Sequence, residues 1–359
     1  MRGKMLAVTQ VEKGAEGIRI IEKPIPEIGK RDVLIRVKAA GLCGSDLHIY
    51  RKKIETSAEI GVTIGHEFSG EVVEIGEEVK LWNVGDRVAS DNTGYVCGVC
   101  TACRMGHPLD CEQRLGLGFE LDGGFAEYVK IDGRILDRMP DCLVHIPDSV
   151  SYREAAILDP IANGYNAVVQ QGKFLPGESV AVIGAGPLGL ACVNAAKMAG
   201  AAQVFLLVRA RTSQLHREAA LKMGADEILE TESPALKKYI ESKTEGEGLA
   251  CVYECAGPSE LTELAVTLVR RGGKVIRVGF EFGGKDLKIN ALNQVVFHNI
   301  QLIGHEGYDP VSWHNCMKLL EAGMLDAKTP ITHILPLTEY RKGVDLMLER
   351  KAIKVIYQP

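Results

Sequence analysis

Cys97, Cys100, Cys103 and Cys111 stand in the pattern C-x2-C-x2-C-x7-C. Four thiolates in one short loop can surround a tetrahedral Zn2+ without help from distant parts of the chain. A site closed by four sulfurs leaves no position for substrate, so its role would be structural. Gly98 and Gly106 would let such a loop turn tightly. An iron–sulfur cluster uses the same donors, and unconnected free thiols are the remaining reading. The density of cysteines in a chain without an export signal favours zinc. A second donor set is dispersed. Cys43 and His66 offer a thiolate and an imidazole, while Glu67 and Asp159 offer carboxylate oxygens. Three firm ligands plus water is the arrangement a catalytic zinc needs, because one position must stay exchangeable. Each of these residues alone has an ordinary structural explanation; the combination carries the weight.

The third constellation is Gly184-Ala185-Gly186-Pro187-Leu188-Gly189, a match to G-x-G-x-x-G. It directly follows a strand-like run and opens a helical stretch, which is the context a dinucleotide site requires. Gly184 would permit the tight turn, Gly186 the approach of the pyrophosphate, and Gly189 close helix–sheet packing; Pro187 and Leu188 would open the helix whose N–H groups face the phosphates. An ordinary glycine turn is the plain alternative. Near the end of the next strand, a carboxylate would hold a ribose 2′-hydroxyl. The loop there reads Val208-Arg209-Ala210-Arg211-Thr212-Ser213 instead, and Arg209 or Arg211 could pair with a 2′-phosphate. The cofactor expectation is therefore NAD or NADP, with a slight lean to NADP.

These residues need elements to hold them. Short strand-like runs at 33–39, 70–75 and 87–89, separated by turn signals, indicate a mostly β first part. From about residue 151 the character changes. A helix is predicted over 154–170, then buried strand runs at 179–183 and 203–208 flank a helix over 187–198. Further strands are predicted at 250–253, 274–278 and 301–304. Apolar strands alternating with helices imply a parallel sheet covered on both faces. A helix over 311–322 and a last strand over 353–357 would return the chain to its first part.

The chain has 359 residues, long for one core, with 46% hydrophobic and 25% charged residues. A net charge of −5 gives no electrostatic reason to expect nucleic acid or an anionic membrane surface. No apolar run is long enough to cross a bilayer and the N-terminus lacks the pattern of a secretory signal, so a cytoplasmic location is expected.

Taken together, these features resemble the zinc-containing medium-chain dehydrogenase/reductase family, and within it the polyol (sorbitol-type) and threonine dehydrogenases. The matching motifs are Gly41-Leu42-Cys43-Gly44-Ser45-Asp46-Leu47-His48, Gly65-His66-Glu67-Phe68-Ser69-Gly70, Val84-Gly85-Asp86-Arg87-Val88, the four-cysteine loop, Gly124-Phe125-Ala126-Glu127-Tyr128-Val129 and the glycine fingerprint. The likeness covers essentially the whole chain. It implies an α/β protein: a GroES-like, mostly β catalytic domain over 1–154 carrying both zinc sites, a Rossmann domain over 155–292, and a return segment over 293–359. It also implies an active site between the domains. Cys43 and His66 then resemble catalytic zinc ligands, and Glu67 a permanent or exchanging one. Asp159 falls where relatives carry Glu or Cys; being shorter than Glu, it would ligate zinc or hold the water there. Asp46 resembles the carboxylate that orients the zinc-bound histidine. Ser45 and His48 resemble a relay carrying the alcohol proton to solvent.

The function expected is hydride transfer between a secondary alcohol (a polyol, cyclitol or sugar alcohol) and NAD(P), with two zinc ions per chain. Threonine or another amino-alcohol is the alternative substrate. A catalytically inactive nucleotide-binding protein on the same scaffold is the alternative of another class, and the retained Cys43, His66 and Glu67 argue against it. Tyr50 and Phe119 could line the substrate pocket or merely pack. The expected partner is a small-molecule alcohol, with a homo-oligomer, dimer or tetramer, implied by the resemblance.

Overall fold

A computed structural model of the protein describes residues 3–51, 59–281 and 284–359. The chain forms two compact units. One comprises Met1–Asp159, Asp309–Ala322 and Ile331–Pro359, the other Pro160–Tyr308 and Gly323–Pro330. Among the described residues no helix is long and apolar enough to cross a membrane.

The first unit is built around the strand Val33–Gly41. Glu67–Ile75 pairs antiparallel along its whole length on one edge. On the other edge its first residues pair with Tyr128–Ile131 and its last two with the C-terminal strand Lys354–Gln358. Arg87–Ser90 and Leu143–His145 extend the sheet on one side, and Ile331–Pro336 on the other. Buried Ile35, Val37, Phe68, Val72, Val88, Phe125 and Tyr357 fill its core, as the alternating pattern of a half-buried sheet requires.

This register positions chemistry. Gly41 lies opposite Glu67, so Cys43, two residues past the end of one strand, comes level with His66 at the start of the next. The crossing leaves no room at Gly41: a Cβ there would lie 2.4 Å from Glu67 Oε2.

The second unit is a six-stranded, wholly parallel sheet in the order Glu227–Glu230, Gln203–Val208, Ser179–Ile183, Leu249–Glu254, Val269–Arg277, Gln301–Gly304. The chain starts in the middle, builds outward to one edge, then returns and builds to the other. That is the doubly wound order, and its switch point lies beside the first strand, Ser179–Ile183. The strands Ser179–Ile183 and Gln203–Val208 and the helix Pro187–Met198 have the bounds the sequence predicts.

Two expectations need correction. The helix predicted over 154–170 is three pieces: Tyr152–Ala156, Leu158–Tyr165 and a π-helical Asn166–Gly172. Pro160 lacks an N–H and cannot bond back across position 157, so the break falls there. The start at Tyr152 is set by a capping box in which Ser151 and Glu154 satisfy each other's backbone N–H. The second difference is the boundary at 292. Gln301–Gly304 still pairs with Val269–Arg277, so the second unit runs on to Tyr308 and takes up Gly323–Pro330 as well.

Candidate functional site

Cys43, His66 and Glu67 each present a ligand atom within 4.8 Å of the others. Cys43 caps the short helix Gly44–Tyr50, and its N–H donates to Asp46 Oδ2 at 2.9 Å. That bond fixes Asp46, which is fully buried, with its other oxygen 3.6 Å from His66 Nδ1. The far ring nitrogen, His66 Nε2, lies 3.3 Å from Ser45 Oγ. With its proton on Nδ1 toward Asp46, the imidazole directs the Nε2 lone pair to the side that Cys43 and Ser45 share. The Phe119 ring lies against the His66 ring, 5.0 Å between centroids.

The electrostatics of this cluster are those of a site built for a cation. His66, Glu67, Asp46 and Asp159 are all buried. Burial pushes the Asp46 carboxyl above its ordinary value and the Glu67 carboxyl far above it, against the pull of Lys354 and His66. Glu67 Oε2 is buried with no hydrogen-bond partner. Buried groups left in this state are costly unless a further charge compensates them. A thiolate, an imidazole and a carboxylate with convergent donor atoms fit Zn2+.

Asp159 stands apart from that set. Its Oδ2 accepts from Asn92 Nδ2 at 2.8 Å, and its charge is felt by Asp46, Glu67 and Lys354. His48 follows Ser45 by three residues on the same helix, which puts the two on one face. Tyr50 ends that helix and carries the Arg341 guanidinium 6.0 Å from its ring centroid.

Sequence reasoning missed Lys354. It is 1% exposed, donates to Glu67 Oε1 at 2.7 Å and to Leu42 O at 3.1 Å, and lies 2.5 Å from Glu67 Oε2. A signal was there: one lysine inside the apolar run Ala352-Ile353-Lys354-Val355-Ile356-Tyr357 must be paired if the run is buried.

Cys97, Cys100, Cys103 and Cys111 also converge within 4.8 Å. Val99 N–H and Cys100 N–H donate to Cys97 Sγ at 3.5 and 3.3 Å, and Cys97 N–H donates to Cys111 Sγ at 3.3 Å. The first two of these bonds pull the Cys97 thiol down to about 6, whereas burial pushes Cys103 up to about 12. N–H groups aimed at sulfur favour thiolate. All four positions of a tetrahedral ion would be filled by protein.

In the second unit Gly184 has φ +105°, and a Cβ on Gly189 would lie 1.9 Å from Gly184 O. Gly186 differs, since a Cβ there would meet nothing within 4 Å. It caps the helix Pro187–Met198, with Pro187 in its first turn and Leu188 half-buried beside it. Arg209 is half-buried, with Nη2 3.5 Å from Glu260 Oε1, and Arg211 is exposed. The loop itself contains no acid, but the fold brings one to it: Ala210 N–H donates to Glu232 Oε2 at 3.3 Å. Arg217 ties the same loop by donating to Ala210 O and to Glu230.

With this geometry in hand, the resemblance to known proteins is specific. Residues 29–141 match the family model for the alcohol dehydrogenase GroES-like domain, and residues 187–322 the one for zinc-binding dehydrogenase. An L-threonine 3-dehydrogenase of Caldanaerobacter subterraneus subsp. tengcongensis is 37% identical, with 100% of both chains covered. A sorbitol dehydrogenase of Halalkalibacterium halodurans is 34% identical, with 99% of both covered. A zinc-binding dehydrogenase from Sinorhizobium meliloti 1021, solved bound to NADP, superposes with a TM-score of 0.88 at 28% identity, with 100% of both chains covered.

Proposed function

The chain belongs to the zinc-type alcohol dehydrogenase family, as a zinc- and NAD(P)-dependent enzyme acting on small-molecule alcohols, and from that premise we propose that its substrate is a polyol, cyclitol or sugar alcohol oxidised at a secondary hydroxyl. The observation that supports this choice is the polar, carboxylate-rich surrounding of the candidate metal position. Buried Glu67 and Asp159, with Asn92 held on Asp159, suit a substrate that presents several hydroxyls. An amino-alcohol is the second reading, supported by the threonine dehydrogenase relative. Its ammonium group would be attracted to the same carboxylates.

In the proposed mechanism Cys43 Sγ, His66 Nε2 and a Glu67 oxygen would hold the catalytic zinc, and the four-cysteine loop would hold a second, structural ion. When bound, the ion would supply Lewis acidity that eases deprotonation of the alcohol, and the dinucleotide would supply the hydride acceptor. Asp46 keeps the His66 proton on Nδ1, so that Nε2 stays a donor to the metal. Ser45 Oγ, 3.3 Å from His66 Nε2, accepts the substrate hydroxyl proton. His48, on the same helix face, passes it outward. Asp159 orients the substrate or water from beside the ligand set.

For the cofactor we propose NADP, with Arg209 and Arg211 on the 2′-phosphate. Glu232 and Glu260 are then the counter-charges that hold this loop when the phosphate is absent. Charge-assisted bonds to phosphate contribute about 1.5–3 kcal/mol each, so replacing both arginines by Ala should raise KM for NADP about a hundredfold or more and leave KM for NAD unchanged. The test of the substrate reading is a panel of polyols and amino-alcohols with each cofactor. Turnover of a polyol is expected; turnover of L-threonine with no polyol oxidised would overturn it.

A further inference from the structure

One side chain organises the turn that follows the strand Gln203–Val208. Arg217, on the helix Gln214–Lys222, reaches back over it. Its Nε donates to Thr212 O at 3.2 Å. Its Nη2 is shared among Ala210 O at 3.4 Å, Arg209 O at 3.5 Å and Glu230 Oε1 at 3.3 Å. The guanidinium is therefore committed to the turn's own carbonyls and to one acid, and its side chain is only 22% exposed. The turn is closed by Thr212 N–H donating to Arg209 O at 2.9 Å.

A trans peptide unit that turns its C=O to one side turns its N–H to the other. With three carbonyls drawn to Arg217, the N–H groups of Ala210, Arg211 and Ser213 point away from it. One of them already meets an anion, since Ala210 N–H donates to Glu232 Oε2 at 3.3 Å. The neighbouring strand delivers that carboxylate. Glu230 pairs with Val208 across the parallel sheet, and Thr231 N–H donates to Val208 O at 2.9 Å. Arg209, on the same turn, has Nη2 3.5 Å from Glu260 Oε1. Glu232 and Glu260 are both exposed, so they hold their partners weakly and can give way to a dianion. The turn lies at the carboxyl end of the second strand, where a doubly wound sheet presents the adenosine ribose.

We propose that Arg217 is a positioning residue that sets the preference for a 2′-phosphorylated dinucleotide. It turns the backbone of 209–213 so that N–H groups join Arg209 and Arg211 around the phosphate, and Glu232 holds that place until the phosphate displaces it. The inference rests on the NADP reading given above. A lysine cannot take this part: an ammonium is a point charge without the planar fork that spans several carbonyls.

The test titrates the full-length protein by calorimetry with adenosine 2′,5′-bisphosphate and adenosine 5′-monophosphate, which differ only in the 2′-phosphate. Wild type should bind the bisphosphate more tightly. Arg217→Met should weaken the bisphosphate about tenfold, the scale of one charge-assisted hydrogen bond, and change the monophosphate less than about twofold. A merely structural role would weaken both ligands alike, and that result would overturn the proposal. Arg217→Lys keeps the charge and should still lose most of the preference; it carries the test if the methionine variant does not fold. Full preference in the lysine variant would overturn positioning by the fork. Glu232→Gln should shift the other way and tighten the bisphosphate alone; a weaker bisphosphate there would overturn the displacement of Glu232. Equal affinities of wild type for the two probes would instead refute the underlying NADP reading.

Discussion

Gly186 and Gly189 lie three residues apart in one loop, yet alanine should harm them in different ways. A Cβ on Gly189 would sit 1.9 Å from Gly184 O. An ordinary contact is about 3.4 Å or more, so the turn must open by roughly 1.5 Å or the helix Pro187–Met198 must back away from the sheet. Overpacking of this kind costs about 1–3 kcal/mol. In a unit of this size each kcal/mol lowers Tm by about 2–4 °C, so Gly189→Ala should melt about 2–12 °C lower with no cofactor present. A Cβ on Gly186 meets nothing within 4 Å. The backbone there, φ −73° and ψ 176°, suits any residue. Gly186→Ala should therefore melt within about 2 °C of wild type, or slightly above it through the stiffer unfolded chain. Its harm should appear only on binding, because the new methyl would stand where the proposed dinucleotide site brings the pyrophosphate. A loss of about 1.4 kcal/mol, or tenfold in Kd, is the least expected. Thermal melts without cofactor, paired with titration of the reduced cofactor by fluorescence, separate the two effects. Wild-type affinity in Gly186→Ala would refute the reasoning about pyrophosphate approach, and an unshifted Tm in Gly189→Ala would refute the packing argument.

Other consequences are simpler to state. Ser45→Ala removes the hydroxyl next to His66 Nε2 and should lower kcat by about 10²–10⁴ while zinc content and cofactor Kd stay at wild-type values; normal kcat would remove Ser45 from the proton path. Burial pushes the Asp91 carboxyl from 3.8 up to about 6. The native state therefore holds this proton more tightly than the unfolded chain does, and Asp91's contribution to stability is greatest below pH 3.8 and is lost as pH rises to about 6. Asp91→Asn should flatten that part of the stability curve by up to about 3 kcal/mol, as read by urea unfolding from pH 4 to 7; a parallel curve would contradict the burial argument.

What could be read from sequence is what the chain builds locally. The glycine fingerprint, its flanking strand and its helix all lie within one contiguous stretch, and their bounds follow from apolar runs and Pro187. The four-cysteine loop is equally local, and its sulfurs do converge. Lys354 was legible as a lysine in a buried strand but its partner was not, because it meets Glu67 from 287 positions away, across a sheet whose register no local pattern encodes. Asn92 reaches Asp159 across 67 positions and Glu232 reaches Ala210 across 22, for the same reason. Periodicity misjudged the 154–170 helix because an apolar face continues through the break that Pro160 imposes. The end of the second unit was drawn before the predicted strand Gln301–Gly304 because that short edge strand is mostly exposed, and no local pattern says which sheet it joins.

The central claim is that one chain holds two zinc ions, one in a closed sulfur site and one in an open site that does chemistry. Metal analysis of the purified protein beside Cys43→Ala and Cys111→Ala tests it most directly. Wild type should carry about two zinc per chain. Cys43→Ala should keep one, fold normally and lose alcohol oxidation, whereas Cys111→Ala should lose the other and melt early. Full activity in Cys43→Ala, or a wild-type protein that binds cofactor and turns over alcohol with a single zinc in the four-cysteine loop, would contradict the claim.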